Sequence, residues 1–229
     1  MKKKLQSASD FSISGMIHRR IMDLDKDERD VVPYIRANIS PEYWPIKLDD
    51  FIGNKKAVKL VKRYVEKLDE AYEHGLGFIF LGGNGVGKTT MQMMILKAAV
   101  DAGYSAFHIT LPEIFHYIKL GFDNHSLLLE IHNLLRTTDF LAVGELGKDY
   151  HRQGSEMFMR SEFDMIFRHR RSMLMPTSLD TNMDLTELYD TYGESLMSLF
   201  AGSLKEIEMK GKDYRKTVQR RSLDVFFES

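Results

Sequence analysis

The stretch GFIFLGGNGVGKTT, residues 77–90, decides how the rest of the chain is read. Gly77 to Leu81 form a short apolar run, and the chain then turns glycine-rich and fits G-x-x-x-x-G-K-[ST]. Gly82, Gly87, Lys88 and Thr89 fill the fixed positions. The following KTTMQMMILKAAVDAG reads as a helix stopped by Gly103. A strand before the loop and a helix after it are the context that a phosphate loop requires. Glycines let backbone amides curl around a β-phosphate, and the helix N-terminus adds a favourable dipole. Gly82, Gly83, Asn84, Gly85, Val86, Gly87, Lys88, Thr89 and Thr90 are therefore the candidate residues for ATP or ADP. Lys88 is placed to neutralise the β- and γ-phosphates, and the Thr89 hydroxyl to ligate Mg²⁺.

Outward from the loop, apolar periodicity alternates between helix and strand. Upstream, NKKAVKLVKRYVEKLDEAYEHG lines up Val58, Val61, Val65, Leu68 and Tyr72 on one face, and Gly75 ends it. Downstream, YSAFHITL reads as a strand, PEIFHYIKL as a helix opening at Pro112, and LLLEIHNLL as another helix. DFLAVGEL is a strand, SEMFMRSEFDMIFRHRR a charged helix, and SMLMPTSLD a further strand. Strands alternating with helices predict a parallel sheet covered on both faces.

Residues 1–45 differ. Ile13, Met16, Ile17, Ile21 and Leu24 recur at helical spacing, with Ser12 or Ser14 as a cap. YIRANISPEYWP, with the lone Trp44, reads as an irregular connector. The helix has two readings, one packed on the main domain and one docking a partner.

A length of 229 residues accommodates one α/β domain and a small appendage. Net charge is −1, so any nucleic-acid contact must come from a local basic patch. The absence of cysteine excludes disulfides and thiolate zinc sites. The basic start lacks the apolar core of a signal peptide, and no run approaches the roughly 18 apolar residues of a membrane helix. A soluble, cytoplasmic protein with no membrane contact is expected. His116, His125 and His132 show no metal-ligand spacing. Phe115, Tyr117 and Lys119 read either as core or as a stacking surface for single strands. Phe167 to Arg171 is the densest basic run, either a solvated face or a phosphate contact. The fourteen methionines point to an adaptable core or partner surface.

The ordered set ISPEYWPIKLDDF, FLGGNGVGKTT, DFLAVGELG, PTSLDTN, LTELYDTYGES and GKDYR resembles the DnaC/IstB branch of the AAA+ ATPases across residues 38–216. That resemblance implies a P-loop AAA+ three-layer α/β sandwich with a central parallel sheet, plus a short helical N-terminal segment. It divides the chain into a partner-docking segment, residues 1–45, and a nucleotide-binding domain, residues 46–229. It also implies ATP/ADP and Mg²⁺ as ligands. Single-stranded DNA is the implied partner of the ATPase domain, and a DnaB-type replicative helicase that of the N-terminal segment. Glu145 matches the acidic residue that orients water, Asn182 the polar residue that senses the γ-phosphate, and Arg215 a basic residue near the nucleotide.

Two departures from the family pattern stand out. Gly144 replaces the aspartate that holds Mg²⁺ through water, and Ser195 and Leu199 replace arginines that reach a neighbouring subunit's nucleotide. An arginine supplied in trans is worth about 10³ to 10⁵ in rate. Slow or absent hydrolysis is therefore expected unless Arg168, Arg170 or Arg171 substitutes. The resemblance points to a helicase loader. A transposition helper ATPase and a non-hydrolysing regulator or decoy of a helicase or loader stay open, as do a homo-oligomer and a hetero-oligomer with the helicase.

Overall fold

The computed structural model describes residues 12–22, 30–147 and 156–214. Within these, α1 spans Ile13–Met22 and α2 Val32–Arg36, followed by two short 3₁₀ turns at Pro41–Tyr43 and Leu48–Asp50. The remainder alternates: α3 Lys55–Glu66, α4 Leu68–Glu73, β1 Gly77–Leu81, α5 Lys88–Asp101, β2 Ala106–Thr110, α6 Leu111–Gly121 and α7 His125–Thr137. It continues with β3 Phe140–Leu146, α8 Glu156–Ser172, β4 Thr177–Thr181, α9 Leu185–Ala201 and β5 Leu204–Glu208. All pairings are parallel, in the order β2-β3-β4-β1-β5.

Alternation along the strands sorts the core into two layers. Phe78 and Phe80 of β1, with Phe140 and Ala142 of β3, face the layer of α3 and α5. Ile79, Leu81, Leu141, Val143 and Leu179 face the opposite layer, which holds Ile114, Ile131, Phe163, Leu188 and Phe200 of α6 to α9. The product is a three-layer sandwich with β1 near its centre, so the loop leaving β1 emerges at the carboxyl edge of the sheet.

Local sequence explains most boundaries. Asn54 caps α3 by accepting from the amides of Lys56 and Ala57, each at 3.1 Å. Thr110 and Glu113 form a reciprocal capping box at the start of α6. The long helix expected over residues 54–75 is broken, because Lys67 leaves helical geometry at φ −121°, ψ 38° and separates α3 from α4.

The described N-terminal residues, 12–22 and 30–46, lie on the sandwich. Ser12 caps α1 through the Gly15 amide, Ile13 is buried against the α6 to α9 layer, and Ser14 bonds Glu130 of α7 through its amide and its hydroxyl. Leu24 lies outside the described residues. The connector is tied to α5: Lys97 Nζ donates to the carbonyls of Tyr43, Trp44 and Ile46 at 3.0, 2.6 and 2.7 Å. Tyr34 adds a bond to Asp101 at 2.7 Å.

Two surface readings are corrected by packing. Phe115 is a core residue of the α6 to α9 layer, so it offers no base a stacking face. In the Phe167–Arg171 run Phe167 is buried and Arg170 is 0% exposed, so the basic surface that remains is Arg168, with His169 and Arg171 half-buried. The Arg170 guanidinium donates to the carbonyls of Leu135, Thr138, Asp139 and Pro176, and to the Thr177 hydroxyl, at 2.7–3.0 Å. It knots α8 to the starts of β3 and β4, which removes it as a substitute for a missing trans arginine.

Candidate nucleotide-binding site

The phosphate loop spans the gap between β1 and α5. Gly85 and Gly87 take φ of 71° and 94°, which glycine adopts without strain. A side chain at Gly87 would strike the Phe51 ring, and one at Gly85 would strike Asp213, so the loop is gripped from both flanks. The second grip comes from the segment after β5. The Met209 amide donates to Leu81 O at 2.7 Å and the Tyr214 amide to Gly85 O at 3.0 Å. Arg215 lies just beyond, outside the described residues.

Lys88 opens α5 and is largely buried. Its ammonium donates to the carbonyls of Gly82 and Gly83 at 2.5 and 2.7 Å, and to Asn182 Oδ1 at 2.7 Å. Asn182 follows β4, is exposed, and its amide nitrogen reaches Asn84 Oδ1 at 3.0 Å. The lysine, the loop and the Asn182 amide are thus one hydrogen-bonded cluster. Gly83 and Asn84 are exposed at the loop tip, Val86 is buried beneath it, and Thr90 is half-buried on the first turn of α5.

Thr89 meets a residue that sequence reasoning did not single out. Its hydroxyl donates to Asp180 Oδ2 at 3.3 Å, and the Glu145 amide donates to Asp180 Oδ1 at 3.0 Å. Asp180 is 4% exposed. Burial pushes its carboxyl up, opposed by the Glu145 amide, the Lys88 charge and the Thr89 hydroxyl. Glu145 itself is half-buried and has φ of 61°, a left-handed conformation that costs a non-glycine residue about 1–3 kcal/mol. The strain coincides with a register shift between Val143 and Leu146, a bulge that sets residues 144 and 145 against β4.

Gly144 is buried beside this carboxylate. A Cβ there would lie 3.4 Å from both Asp180 Oδ2 and His108 Nε2. His108 is half-buried with its Nε2 enclosed and without a hydrogen-bond partner, and desolvation holds its pKa down to about 4. Asp180 falls within PTSLDTN, but sequence reasoning assigned it no role of its own, since its partners are set by the register of β3 against β4.

The trans-arginine positions are filled as read from the sequence, with one addition. Ser195 on α9 accepts a hydrogen bond from Arg168 Nη2 at 3.0 Å, so a guanidinium from α8 stands beside it. Arg171 instead donates to Gly202 O at 3.3 Å. Among the described residues, no group of three or more His, Cys, Asp or Glu could hold a metal ion by itself. A cation at Thr89 would therefore draw most of its ligands from phosphate oxygens and water, the way Mg²⁺ is held beside phosphates.

A glycine-rich loop after β1, its lysine bonded toward the tip of the adjacent β4, and the strand order together define a P-loop AAA+ fold. No protein-family model matches the sequence, and no curated protein matches it. Solved structures do. A DnaC helicase loader superposes with a TM-score of 0.62 at 22% identity, covering 75% of this chain and 100% of that one. DnaI superposes at 0.61 and 21%, covering 75% and 94%. The replication initiator DnaA bound to AMPPCP and single-stranded DNA superposes at 0.62 and 21%, covering 82% of this chain. The chain spans 56% of that DnaA structure's length. At these identities the likeness defines the fold.

Proposed function

We propose that this protein is a DnaC-like, ATP-binding loader that delivers a DnaB-type replicative helicase to single-stranded DNA in the cytoplasm. The observation that carries the reading is the assembled phosphate loop, with Lys88 on Asn182, in a chain whose fold accounts for the full length of a helicase-loader structure. The initiator of similar fold was solved with AMPPCP and single-stranded DNA, which supports the same ligand classes here. No described helix is long and apolar enough to cross a membrane.

In this reading the loop amides and Lys88 take the phosphates of ATP or ADP. Lys88 gives up its bonds to Gly82 O, Gly83 O and Asn182 for phosphate oxygens, and Asn182 turns to the terminal phosphate. Mg²⁺, when bound, neutralises charge on the phosphates beside Thr89. Ser195 and Leu199 bring no positive charge to a neighbouring subunit's nucleotide, and the Arg168 guanidinium beside Ser195 is engaged by Asp164 at 2.7 Å. ATP is therefore held and exchanged as a conformational ligand, with turnover well below roughly one per second, the low end for ordinary enzymes.

Co-purification with a replicative helicase in ATP, in ADP and without nucleotide tests the assignment, with retention expected to depend on the nucleotide. Lys88→Ala is expected to weaken ATP binding by about 10- to 100-fold through the lost charge-assisted bonds. Helicase binding that survives this change untouched favours the decoy. Capture of a transposase instead favours the transposition helper.

A further inference from the structure

The carboxylate that position 144 lacks is present one strand away. Positions 144 and 180 face the same side of the sheet. Phe140 and Ala142 precede Gly144 on the α5 face, and Asp180 pairs in register with Phe80 of that face. Both positions therefore lie under the N-terminus of α5, where Thr89 points down at Asp180 Oδ2 from 3.3 Å. Asp180 is held from the other side by the Glu145 amide at 3.0 Å, so its carboxylate is fixed toward Thr89 rather than free to rotate.

The geometry also makes a second carboxylate crowd the first. With a Cβ at 144 already 3.4 Å from Asp180 Oδ2, an aspartate there would set its own oxygens against those of Asp180. Two like charges in a buried site raise each other's energy steeply. The strands β3 and β4 thus offer two alternative seats for one acidic group. Glycine at 144 is the complement of aspartate at 180.

We propose that Asp180 supplies the protein carboxylate for the divalent cation of the bound nucleotide, with Thr89, in place of residue 144. This rests on reading the loop as a nucleotide site and says which residue couples nucleotide to metal. The donor set fits Mg²⁺, a hard cation that takes one or two carboxylates and leaves its other positions to phosphate oxygens and water.

The test measures the affinity of a non-hydrolysable ATP analogue in Mg²⁺ and in EDTA, so turnover plays no part. The full chain is expected to bind more tightly in Mg²⁺ by about tenfold or more. Asp180→Asn is expected to bring the two affinities within about twofold while leaving the EDTA value near wild type, and Glu145→Gln to keep the Mg²⁺ effect. The exchange Gly144→Asp with Asp180→Ser moves the carboxylate to β3 and is expected to restore the effect. Retention of the effect in Asp180→Asn, or its loss in Glu145→Gln, overturns the proposal. Because Glu145 is half-buried, its variant decides the matter even if Asp180→Asn does not fold. Wild-type binding that ignores Mg²⁺ also overturns it while sparing the nucleotide reading. No binding under either condition defeats that reading itself.

Discussion

His108 stands in the middle of β2 with an enclosed imidazole Nε2 that has no partner, and it is held neutral to about pH 4. An unfolded histidine takes its proton near pH 6.5, so between these values the unfolded chain binds more protons than the folded one. Stability contributed by this residue is therefore whole above about pH 6.5 and falls as the pH drops toward 4, by about 3 kcal/mol in total. Urea midpoints across that window, compared with those of His108→Gln, read the effect directly. The variant is expected to show the shallower acid loss, and identical slopes would mean that His108 is not desolvated. At the same scale, Asp180 shows why a site residue escapes sequence reading. The loop from Gly82 to Thr90 is a local pattern, legible because every fixed residue lies within one turn of chain. Asp180 lies some ninety positions away from Thr89, and only the register of strands brings it there.

Elements show the same division between local and distant causes. The strands β1 to β4 and the helices between them were legible, since each carries its own periodicity and most of the turns between them hold Gly or Pro. β5, LKEIE, was not, because two of its inner positions are charged and exposed while only Leu204 and Ile207 are buried. α9 was read only as a motif, since Gly193 interrupts it with φ of 77° and breaks its helical period. Arg170 was misjudged for a related reason: a guanidinium among arginines looks like surface until its carbonyl partners are known. Arg170→Met strips the guanidinium from the Leu135, Thr138 and Asp139 carbonyls in a closed interior, and is expected to cost at least about 3 kcal/mol in urea unfolding. Arg170→Lys is expected to recover little of this, since a point charge cannot reach five acceptors arranged for a planar fork. The connector is read by a different probe. Trp44 is the chain's single tryptophan and donates to Ile39 O at 3.0 Å, beside the carbonyls that Lys97 holds. Lys97→Met is expected to red-shift its emission, and an unchanged spectrum would show that the connector stays seated without that lysine.

For the whole molecule, nucleotide binding and stability are linked. The phosphate loop is bonded to β4 through Lys88 and Asn182, and to the segment after β5 through Tyr214, so a ligand that organises the loop steadies most of the sheet's carboxyl edge. Nucleotide at about 100-fold its Kd adds about 2.7 kcal/mol, which in a chain of this size raises Tm by roughly 5–10 °C. Calorimetry is expected to show this shift, and to show little of it with Lys88→Ala at the same concentration. The Tyr214 bond has a mechanical side as well. Between the end of β5 and Tyr214 the described chain carries no helix or strand, and the Tyr214 amide is bonded to the phosphate loop itself. Tension applied at Tyr214, by a strand of DNA or by a partner, would be delivered straight to Gly85. Tyr214 is in that sense a ripcord for whatever the loop holds.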